Sequence, residues 1–585
     1  MYQSKRHNIL GLHFGHGAGA AIMCDGKVVA DVAEERWNHV KHSSDLPLAS
    51  IRFCLKTAGI SIREIDEIAV AGLAVGDQIE SIFGQKVALP QKQAENFKET
   101  IYFAGKKIVR GFLFGNRPQT TLRTPLYCRE FFLDVLPTVT FVEHHLAHAA
   151  AAYLTTNDDR KMIIATVDGA GDSKSSCMWK GENGKIVPLV KYDYTSSIGW
   201  FYSNVTEAIG WWHGDGEGKT MGLAPYGDYK KCKGALDGFY PQFKNGELVK
   251  PRNFPQTTEF KLSGSIHWHS ADAEAIAKMV KQYGTEDISA EAQRILEEQV
   301  MEFVMPWLVK ENTKILATSG GVFLNVKLNQ RIWESGKVQS HYPYPNPGDS
   351  GLPLGAALYV ANENGSLEKP VANHLYWGPE YSNEEIEKII KGRGLAYRKS
   401  NDVSAEAAKF LSEDKIVGWF QGRMESGPRA LGNRSILMSP KKAENKDIIN
   451  ARVKFREAFR PFCPSLIDEA KEKYLVKARK ERFMVTSFDC KPERRGELPA
   501  VVHVDGTLRP QTVTKEDNPL YWKLISEFGK LTGTPVVLNT SMNSMGEPIA
   551  CSPREAIRCF FDSGIDALIL GDFILEKSVS RSSKT

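Results

Sequence analysis

One local pattern occurs twice in the first third of the chain. Residues 9–36, ILGLHFGHGAGAAIMCDGKVVADVAEER, and residues 161–190, KMIIATVDGAGDSKSSCMWKGENGKIVPLV, each indicate an apolar strand, a glycine-rich bend and a β-hairpin. A third strand with a glycine pair, in residues 313–332, leads into a helix. Such bends direct backbone N–H groups at phosphate, and the dipole of a helix N-terminus adds to this. The repeat therefore predicts a duplicated α/β domain with a nucleotide cleft between its halves.

The length of the chain predicts more than this one unit. A single hydrophobic core rarely extends over 585 residues, so we expect two or more domains. Turn-forming residues are dense between 365 and 385, and Ser382 fits the N-cap of a new helix there. We therefore place an N-terminal domain at residues 1–375 and a C-terminal domain at residues 376–585.

Composition narrows the compartment and the partners. The first ten residues lack an apolar segment, and no apolar run approaches the roughly 18 residues of a membrane-spanning helix. The nine cysteines are scattered and never spaced CxxC, which is typical of a reducing compartment and predicts neither disulfides nor a zinc site. We therefore expect a cytoplasmic protein with no membrane partner. A net charge of +5 permits a polyanionic partner without requiring one.

Residues 85–130 carry many more basic than acidic side chains. The central stretch AENFKETIYFAGKKIVRGFLFG has helical periodicity, with Phe97, Ile101 and Ala104 on one face. We interpret it as an amphipathic helical insertion that packs on the core and exposes a basic face. The alternative is a cap over a binding site that attracts an anionic substrate.

Three histidines stand close together in TVTFVEHHLAHAAAAYL, where a β-branched run meets an alanine-rich helix. His144 and His148 are four residues apart, so they share one helix face and can bind one metal ion. For such a pair alone, two hydrogen-bonded histidines at a helix start are the commoner explanation. Asp168 and Asp349 lie in glycine-flanked bends, and this set suits Fe(II) or a similar divalent ion better than structural zinc. His145 points elsewhere and is not included.

The C-terminal part places basic residues in glycine- and proline-containing loops after apolar strands. This basic set comprises Arg423, Arg429, Arg434, Arg452, Lys454, Arg456, Arg460 and Arg509. Guanidinium groups bind phosphate through two parallel hydrogen bonds, and a polar loop such as that in PVVLNTSMNSMGEPIA completes such a site. A single surface arginine is usually in an ion pair worth ~0–1 kcal/mol. The recurrence of these residues predicts a pocket for a small phosphorylated ligand.

A set of motifs extends along nearly the whole chain. In order they are ILGLHFGHGAGAAI, EERWNHVKH, HHLAHAAAAY, VDGAGD, GEGKTMGLAPYG, TSGGVFLNVKLN, GDSGLPLGAAL, ESGPRALGNRSIL, VKFREAFRPF, HVDGTLRPQT and LNTSMNSMGEPI. In content and order they resemble the NodU/CmcH family of O-carbamoyltransferases. As a set they are far more specific than any one motif.

The resemblance implies a fold and a two-step reaction. The N-terminal domain resembles the duplicated actin-like (ASKHA, TsaD-like) domain of metal-dependent proteins that complete threonylcarbamoyladenosine in tRNA. The C-terminal domain resembles the YrdC-like α/β domain that makes the activated adenylate in that pathway. In the family, the C-terminal domain forms carbamoyl-adenylate from carbamoyl phosphate and ATP, with Mg²⁺. The N-terminal domain then moves the carbamoyl group onto an acceptor hydroxyl and releases AMP.

The resemblance also implies roles for single residues. The implied ligands of Fe(II) or a similar divalent metal are His144, His148, Asp168 and Asp349. His16 would be the general base beside the acceptor, and Lys41 would contact the adenylate phosphate. The residues implied to lie along the adenosine are Gly320, Gly321 and Asn325. The residues implied to bind carbamoyl phosphate and ATP, Arg429 also being catalytic, are Arg429, Lys454, Arg460, Arg509 and Ser541.

One position departs from the family pattern. The family usually has an acidic residue directly after the first-loop histidine, whereas Gly17 follows His16 in this chain. The glycine makes the loop smaller and less acidic. It predicts a roomier site that accepts a neutral or anionic acceptor.

The sequence leaves the acceptor open. A hydroxyl on a small molecule, a natural product or a sugar, is the default for the family. The alternative is a hydroxymethylated pyrimidine such as 5-hydroxymethylcytosine in DNA, contacted by basic and aromatic residues in 85–130 and in KEKYLVKARKERF. An actin-like kinase and a non-catalytic nucleotide-dependent binding protein are two competing functions, and the arginine-rich loops do not favour the second. A homodimer is a further expectation.

Overall fold

The computed structural model describes residues 7–73, 78–79, 82, 131, 136–252, 258–263, 265–371 and 374–577, with the backbone alone between 258 and 270. The basic insertion expected at residues 85–130 lies outside the described residues, so both interpretations of it stay predictions. Within the described ranges, no helix combines the length and apolar character needed to cross a membrane.

The first five strands form a mixed sheet. The elements in this part are β1 (Asn8–His13), β2 (Gly19–Cys24), β3 (Lys27–Ala33), α1 (Glu35–Asn38), α2 (Leu48–Ala58), β4 (Glu67–Ala71) and β5 (Thr138–Val142). The strand order is β3-β2-β1-β4-β5, in which β1, β4 and β5 are parallel and β2 is antiparallel to both of its neighbours. Every residue of β1 is buried, as in a strand that is covered on both faces.

The second half of the N-terminal part repeats this sheet. Its elements are α3 (His144–Leu154), β6 (Met162–Gly171), β7 (Lys174–Glu182), β8 (Lys185–Asp193), α4 (Ile198–Ile209), α5 (Glu217–Leu223), β9 (Gln242–Lys244), β10 (Glu247–Lys250), β11 (Thr258–Ser263), β12 (Ser265–Ser270), α6 (Ala271–Tyr283), α7 (Thr285–Lys310), β13 (Ile315–Ser319), α8 (Val326–Glu334), β14 (Ser340–Pro343) and α9 (Leu352–Glu363). The order β8-β7-β6-β13-β14, with the same strand directions, matches the first sheet strand for strand. The predicted duplicated, actin-like architecture is thereby confirmed.

Two helices with small side chains, α3 and α9, pack against each other and against the two sheets. Gly355 of α9 lies so close to the carbonyl group of Ala147 that a Cβ atom would overlap it. Gly11 of β1 approaches the carbonyl group of Pro353 in the same way. Because only hydrogen fits at these contacts, the glycines and the alanine-rich sequence of α3 follow from the close packing of the helices.

The C-terminal part is built on one large sheet. Its elements are α10 (Asn383–Gly392), β15 (Arg398–Lys399), α11 (Val403–Ser412), β16 (Val417–Phe420), β17 (Arg434–Met438), α12 (Glu444–Ile449), β18 (Cys463–Ile467), α13 (Lys471–Tyr474), β19 (Phe488–Asp489), β20 (Thr507–Leu508), β21 (Gln511–Val513), α14 (Pro519–Thr532), β22 (Val536–Ser541), α15 (Pro553–Phe561), β23 (Ala567–Leu570) and β24 (Phe573–Glu576). The strand order is β15-β24-β23-β16-β17-β22-β18-β21, in which β16 is parallel to β23, β18 is parallel to β21, and the remaining neighbours are antiparallel. Ser382 caps α10, accepting from Glu385 N at 3.2 Å. This sheet agrees with the expected YrdC-like α/β domain.

The apolar core continues across the boundary that we placed between residues 375 and 376. Trp377 and Met484 are buried in one cluster with Ala147, Leu354 and Leu375 of the actin-like part. The boundary itself stays a prediction.

Candidate functional site

Four side chains from three segments meet at the N-terminus of α3. His144 and His148 lie on the first turns of α3, Asp168 lies in β6, and Asp349 begins the short turn before α9. One ligand atom from each lies within 4.8 Å of all the others. The Nε2 atom of His148 is 3.0 Å from Asp168 Oδ2 and 3.6 Å from Asp349 Oδ1. The structure thus brings together the four residues that the sequence nominated as metal ligands.

Local contacts fix the two histidines. The backbone N–H of His144 donates to Asp172 Oδ2 at 2.9 Å, which satisfies a free donor at the start of α3. Gly171 lies so close to the His144 ring that a Cβ atom would overlap it. His148 Nδ1 is 3.2 Å from Ser319 Oγ, a contact that orients the ring with Nε2 towards the carboxylates. The glycine-rich bend therefore supports the site in two ways. Asp172 accepts the hydrogen bond from His144, and Gly171 leaves room for the His144 ring.

The charges of this His/Asp cluster suit a cation. Burial lowers the pKa of His144, but the carboxylates of Asp349 and Asp168 outweigh this and raise the pKa to about 9. Burial raises the pKa of Asp168, but the two histidines outweigh this and hold it well below its usual range. Among the described residues, His144 Nε2 is a buried atom without a hydrogen-bond partner. Two imidazoles and two carboxylates, with one nitrogen unsatisfied, fit a divalent metal ion.

Two further histidines border the cluster. His13 ends β1, and burial lowers its pKa to about 4, so the ring is neutral near pH 7. Its ring stands edge-on to that of His144, with centroids 6.1 Å apart. His145 Nδ1 is 3.1 Å from Thr166 Oγ1, and His145 is not among the four clustered residues, so its exclusion agrees with the structure. Sequence reasoning misses His13, because a strand-terminal histidine carries no spacing signal.

His16 and Lys41 lie on a polar strip that also contains His42 and Asp215. His16 is exposed, and its ring stacks on that of His42 with centroids 4.6 Å apart. Lys41 Nζ donates to Asp215 Oδ1 at 3.3 Å, and His42 Nε2 is 3.5 Å from the same oxygen. Burial lowers the pKa of His42, but Asp215 and Glu35 outweigh this and raise it. Sequence reasoning misses His42 and Asp215, because only the fold brings these positions together.

The loop after His16 is held against the turn that carries Asp349. Gly17 has φ +75°, and a Cβ atom there would lie 3.0 Å from Ser350 N and 3.5 Å from Asp349 Cβ. The expectation that Gly17 makes the site roomier is therefore wrong, because the Asp349 turn fills that space. The left-handed backbone and the close contact both favour glycine. This contact also places His16 next to the His/Asp cluster.

The glycine pair after β13 lies behind Asp168. Gly320 has φ +98°, where glycine is favoured, and a Cβ atom on Gly321 would lie 2.9 Å from Asp168 Oδ1. Asn325 is buried, and its side chain forms two hydrogen bonds with Gln293, of 2.9 and 3.0 Å, while capping α8. The structure brings the two glycines to the site and holds the Asn325 side chain in the protein interior.

A second site lies in the C-terminal part and begins with Lys454. The pKa of Lys454 is lowered to about 7, mainly because the side chain is buried and secondly because of the charge of Arg456. The ammonium group donates to the Ser541 carbonyl oxygen and, at 2.6 Å, to Asn543 Oδ1. The Ser541 hydroxyl donates to the same Asn543 oxygen at 2.8 Å. The predicted Lys454 and Ser541 therefore meet at the end of β22.

Arginines surround this lysine. Burial, followed by the charges of Arg509 and Arg460, lowers the pKa of Arg429 to about 9. Burial and the charge of Arg460 lower the pKa of Arg456 to about 9. Arg509 Nε donates to Cys463 Sγ at 2.9 Å. The four cations implied by the resemblance are thus brought together with Arg456, a fifth member of the predicted basic set, and this basic cluster suits a polyanion.

Three arginines of the predicted basic set have structural tasks instead. Arg434 is fully buried, donates to main-chain carbonyl groups and stacks on Phe420 at 3.7 Å. Arg423 donates to main-chain carbonyl groups of both domains. Arg452 forms an ion pair with Asp566 at 2.7 Å. Sequence reasoning overcounts the pocket, because spacing does not show on which side of a strand or loop a guanidinium lies.

The polar strip lies between the two clusters. Burial is the main cause of the lowered pKa of Lys454, the neighbouring arginines come next, and the charge of Lys41 makes a smaller contribution in the same direction. Burial is also the main cause of the lowered pKa of Arg460, and Asp215 is among the charges that oppose it. Lys219, four residues after Asp215, donates to Glu457 Oε1 at 2.8 Å, and Glu457 Oε2 is 3.7 Å from Arg460 Nη1, which places this end of the strip next to the basic cluster.

Known proteins share this arrangement of domains. The carbamoyltransferase N-terminus family model matches residues 8–358, more than half of the chain, and the carbamoyltransferase C-terminus model matches residues 408–577. The chain belongs to the carbamoyltransferase family. Its activity is therefore carbamoyl transfer, and the kinase and the non-catalytic binding protein are set aside.

Curated relatives of this carbamoyltransferase align over most of its length. Nodulation protein NolNO of Sinorhizobium fredii is 34% identical over 577 residues, which cover 96% of this chain and 79% of that one. Nodulation protein NolO of Bradyrhizobium diazoefficiens is 34% identical over 446 residues, covering 74% and 79%. Among solved structures, the (R)-2-hydroxyglutaryl-CoA dehydratase component A of Acidaminococcus fermentans covers 61% of this chain with 14% identity and a TM-score of 0.32, too low to support an inference.

Proposed function

We propose that this carbamoyltransferase forms carbamoyl-adenylate at its basic cluster and transfers the carbamoyl group to a hydroxyl beside its His/Asp cluster. Water releases phosphate from carbamoyl phosphate, and the carbamate oxygen then attacks the α-phosphorus of ATP and displaces pyrophosphate. In the second step the acceptor oxygen attacks the carbamoyl carbon, and AMP leaves. The observation that carries the proposal is the presence, in one chain, of one cluster suited to phosphate and another suited to a cation.

The basic cluster supplies what the first step needs. ATP and carbamoyl phosphate are both anionic, so positive charge must lie between them as they approach. Arg429, Arg460 and Arg509 are held together there with few carboxylates, and Mg²⁺ accompanies the ATP. Lys454 is fixed by Asn543, so its position does not depend on the substrate. The cluster therefore binds the two phosphate substrates against their mutual repulsion.

The transfer step uses the other cluster and the strip beside it. His16 is exposed and directly precedes Gly17, which packs on the Asp349 turn, so we assign it to accept the proton of an acceptor hydroxyl. Lys41 lies on the same strip and would bind the adenylate phosphate, with Asp215 as its partner before the nucleotide arrives. His144, His148, Asp168 and Asp349 would hold a divalent ion, Fe(II) or similar, which would supply Lewis acidity.

The nucleoside of the adenylate would lie along the glycine pair behind Asp168. Gly320 and Gly321 present backbone without side chains at this bend, which lets a ligand approach closely. Asn325 would contribute through its backbone alone, because its side chain is engaged with Gln293.

A small molecule, a natural product or a sugar, is the acceptor that the surroundings of His16 favour. Trp212 is 53% exposed and its ring is stacked on His213, with centroids 5.4 Å apart. The next residue, Gly214, lies so near the base that a Cβ atom would be 3.3 Å from His16 Nε2. Exposed indole rings bind flat apolar faces such as those of sugar rings and aromatic groups. A ring-bearing acceptor could therefore rest on Trp212 with its hydroxyl at His16.

A hydroxymethylated pyrimidine in DNA is less favoured. In the basic run at residues 471–483, Lys471 pairs with Asp468 at 2.7 Å and Lys473 with Glu497 at 2.9 Å. Cations that are already paired release fewer counterions from a nucleic acid. The DNA acceptor, the homodimer and the cytoplasmic location stay predictions.

The first experiment omits the acceptor. Purified metal-loaded protein is mixed with ATP and carbamoyl phosphate, and pyrophosphate and carbamoyl-adenylate are measured. We expect the wild type to form both, and Arg429→Ala to lose roughly 100-fold in rate because a buried charge that stabilises the reacting phosphates is gone. Arg452→Ala, which removes an arginine outside the pocket, and His148→Ala should keep the wild-type rate. Absence of carbamoyl-phosphate-dependent pyrophosphate in the wild type would contradict the proposal.

A second experiment addresses the acceptor class. Alcohols, sugars and hydroxymethylated DNA are supplied as acceptors at increasing salt concentration. A small neutral acceptor should show little salt dependence, whereas a DNA acceptor should lose activity steeply through counterion release. Transfer to DNA alone, with a steep salt slope, would replace the small-molecule assignment.

A further inference from the structure

A segment of the N-terminal domain packs on a loop of the basic cluster. We call residues 211–226 the bridging segment and residues 455–461 the arginine loop. Trp211 and Tyr226 of the bridging segment contact Phe459 of the arginine loop, with ring centroids 5.8 and 6.4 Å apart. Phosphate-binding residues of the C-terminal domain therefore lie on a loop that the N-terminal domain supports.

One ion pair crosses this contact. Lys219 Nζ donates to Glu457 Oε1 at 2.8 Å. The two side chains are only 26% and 31% exposed, so solvent screens the pair incompletely. Glu457 Oε2 is 3.7 Å from Arg460 Nη1 and, among the described residues, is a buried oxygen without a hydrogen-bond partner. One carboxylate is thus shared between a lysine of one domain and an arginine of the other.

A carboxylate inside a phosphate-binding loop competes with phosphate for the arginines. If Lys219 were absent, both oxygens of Glu457 would be available to Arg460, and a bidentate pair would neutralise that guanidinium. The loop itself is held by other contacts, since Arg456 donates to Asn450 Oδ1 at 3.2 Å and Phe459 packs on the bridging segment. The shift therefore needs only the Glu457 side chain, whose Oε2 is already 3.7 Å from Arg460 Nη1. The crossing lysine therefore decides whether the Arg460 charge faces the substrate or the protein.

We propose that Lys219 is a positioning residue for adenylate formation, which engages one oxygen of Glu457 across the domain interface and so prevents a bidentate Glu457–Arg460 pair. A residue of the transfer domain thereby sets the phosphate affinity of the adenylating domain. This inference rests on the proposed function, because pyrophosphate release from ATP and carbamoyl phosphate is its readout.

The test compares Lys219→Met in two backgrounds, without acceptor. In the wild-type background we expect Lys219→Met to raise the KM of the phosphate substrate that Arg460 binds about tenfold, with kcat within about twofold. In the Glu457→Gln background the same change should have little effect, because no carboxylate remains to capture Arg460. Lys219→Arg should behave like the wild type. The KM values of ATP and of carbamoyl phosphate are both measured.

The matched control is Lys310→Met, which removes a lysine paired with Glu247 at 3.3 Å outside this interface. It should change neither KM, and melting temperatures of all variants show that they are folded. An unchanged pair of KM values in Lys219→Met overturns the inference. An equal loss in both backgrounds also overturns it, because Lys219 would then contact the phosphate itself. A wild type without pyrophosphate release overturns the proposed function instead, and the inference with it.

Discussion

The two clusters of this carbamoyltransferase handle buried charge in opposite ways. In the His/Asp cluster, carboxylates and imidazoles compensate one another, and the pKa of His144 rises to about 9. In the basic cluster few carboxylates oppose the cations, and the pKa of Lys454 falls to about 7. In the His/Asp cluster, protons on the imidazoles balance the carboxylates, and a metal cation can later replace these protons. In the basic cluster, an anion is needed to offset the repulsion between like charges. The His/Asp cluster is therefore balanced in charge without a ligand, whereas the basic cluster has an excess of positive charge that an anion would offset.

Removal of one metal-ligand candidate tests whether the two clusters act independently. His148→Ala should lower bound divalent metal from about one per chain to near zero and reduce carbamoyl transfer at least about 100-fold, because Lewis acidity is lost. Acceptor-free pyrophosphate release should stay at the wild-type rate. Metal analysis and the two assays check this.

His7→Ala, which removes an imidazole outside the cluster, is the control and should retain metal and both activities. Equal loss of transfer and of pyrophosphate release in His148→Ala would show that the two sites are not separate.

The positive charge of the basic cluster should depend on pH through Lys454. Lys454 is charged below pH 7 and loses its proton above it, so anion binding should weaken as the pH rises. Because the unfolded lysine keeps its proton to about pH 10, stability without anion should rise over that interval. We expect the sulfate-induced increase in melting temperature to fall by about half between pH 6.5 and 8.5, since one of several cations is lost. Sulfate keeps its charge throughout this range.

Lys454→Arg is the matched variant, because a guanidinium keeps its proton to a higher pH than an ammonium group in the same surroundings. Its response to sulfate should fall much less than that of the wild type over the same interval. A slope equal to that of the wild type would assign the pH dependence to another group.

The loop beside His16 packs on the Asp349 turn through Gly17, and we expect a small loss of stability when this contact is disturbed. Gly17→Ala should destabilise the fold by about 1–2 kcal/mol and lower metal affinity, because φ is left-handed and a Cβ atom would press on the Asp349 turn. Gly15→Ala shares the left-handed φ, at +103°, but a Cβ atom there meets nothing within 4 Å. The difference between the two variants in chemical denaturation isolates the contact. Equal metal affinities in both would remove the link between this loop and the cluster.

The sequence predicts the His/Asp cluster better than the basic cluster, for a physical reason. Strand and helix patterns have recognisable signals. His144 begins α3, His148 follows one turn later and Asp168 lies in the second half of β6, so their convergence follows from the duplicated sheet. Arg434 and Arg429 lie in the same motif, yet one is buried against main-chain carbonyl groups and the other joins the pocket. Tertiary packing determines whether an arginine side chain points into the pocket or into the protein interior, so no local sequence pattern predicts it.

The same limit applies to contacts between distant segments. The fold class and the duplication could be read from repeated strand, bend and hairpin patterns, because these are local. The Lys41–Asp215 and Lys219–Glu457 pairs could not, because each joins positions that only the assembled domains bring together. The prediction for Gly17 was wrong for a related reason. A small residue suggested an open site, but the backbone of the Asp349 turn occupies that space.

The apolar cluster that contains both Leu354 and Trp377 limits how the two halves of the gene can be separated or exchanged. A gene split at this boundary would produce two polypeptides that each expose part of one core, and such surfaces aggregate unless they are covered. Exchange of either half with a distant homologue would likewise require matching changes at Trp377 and Met484 on the other side. The two halves are therefore constrained to diverge together, as one unit of selection.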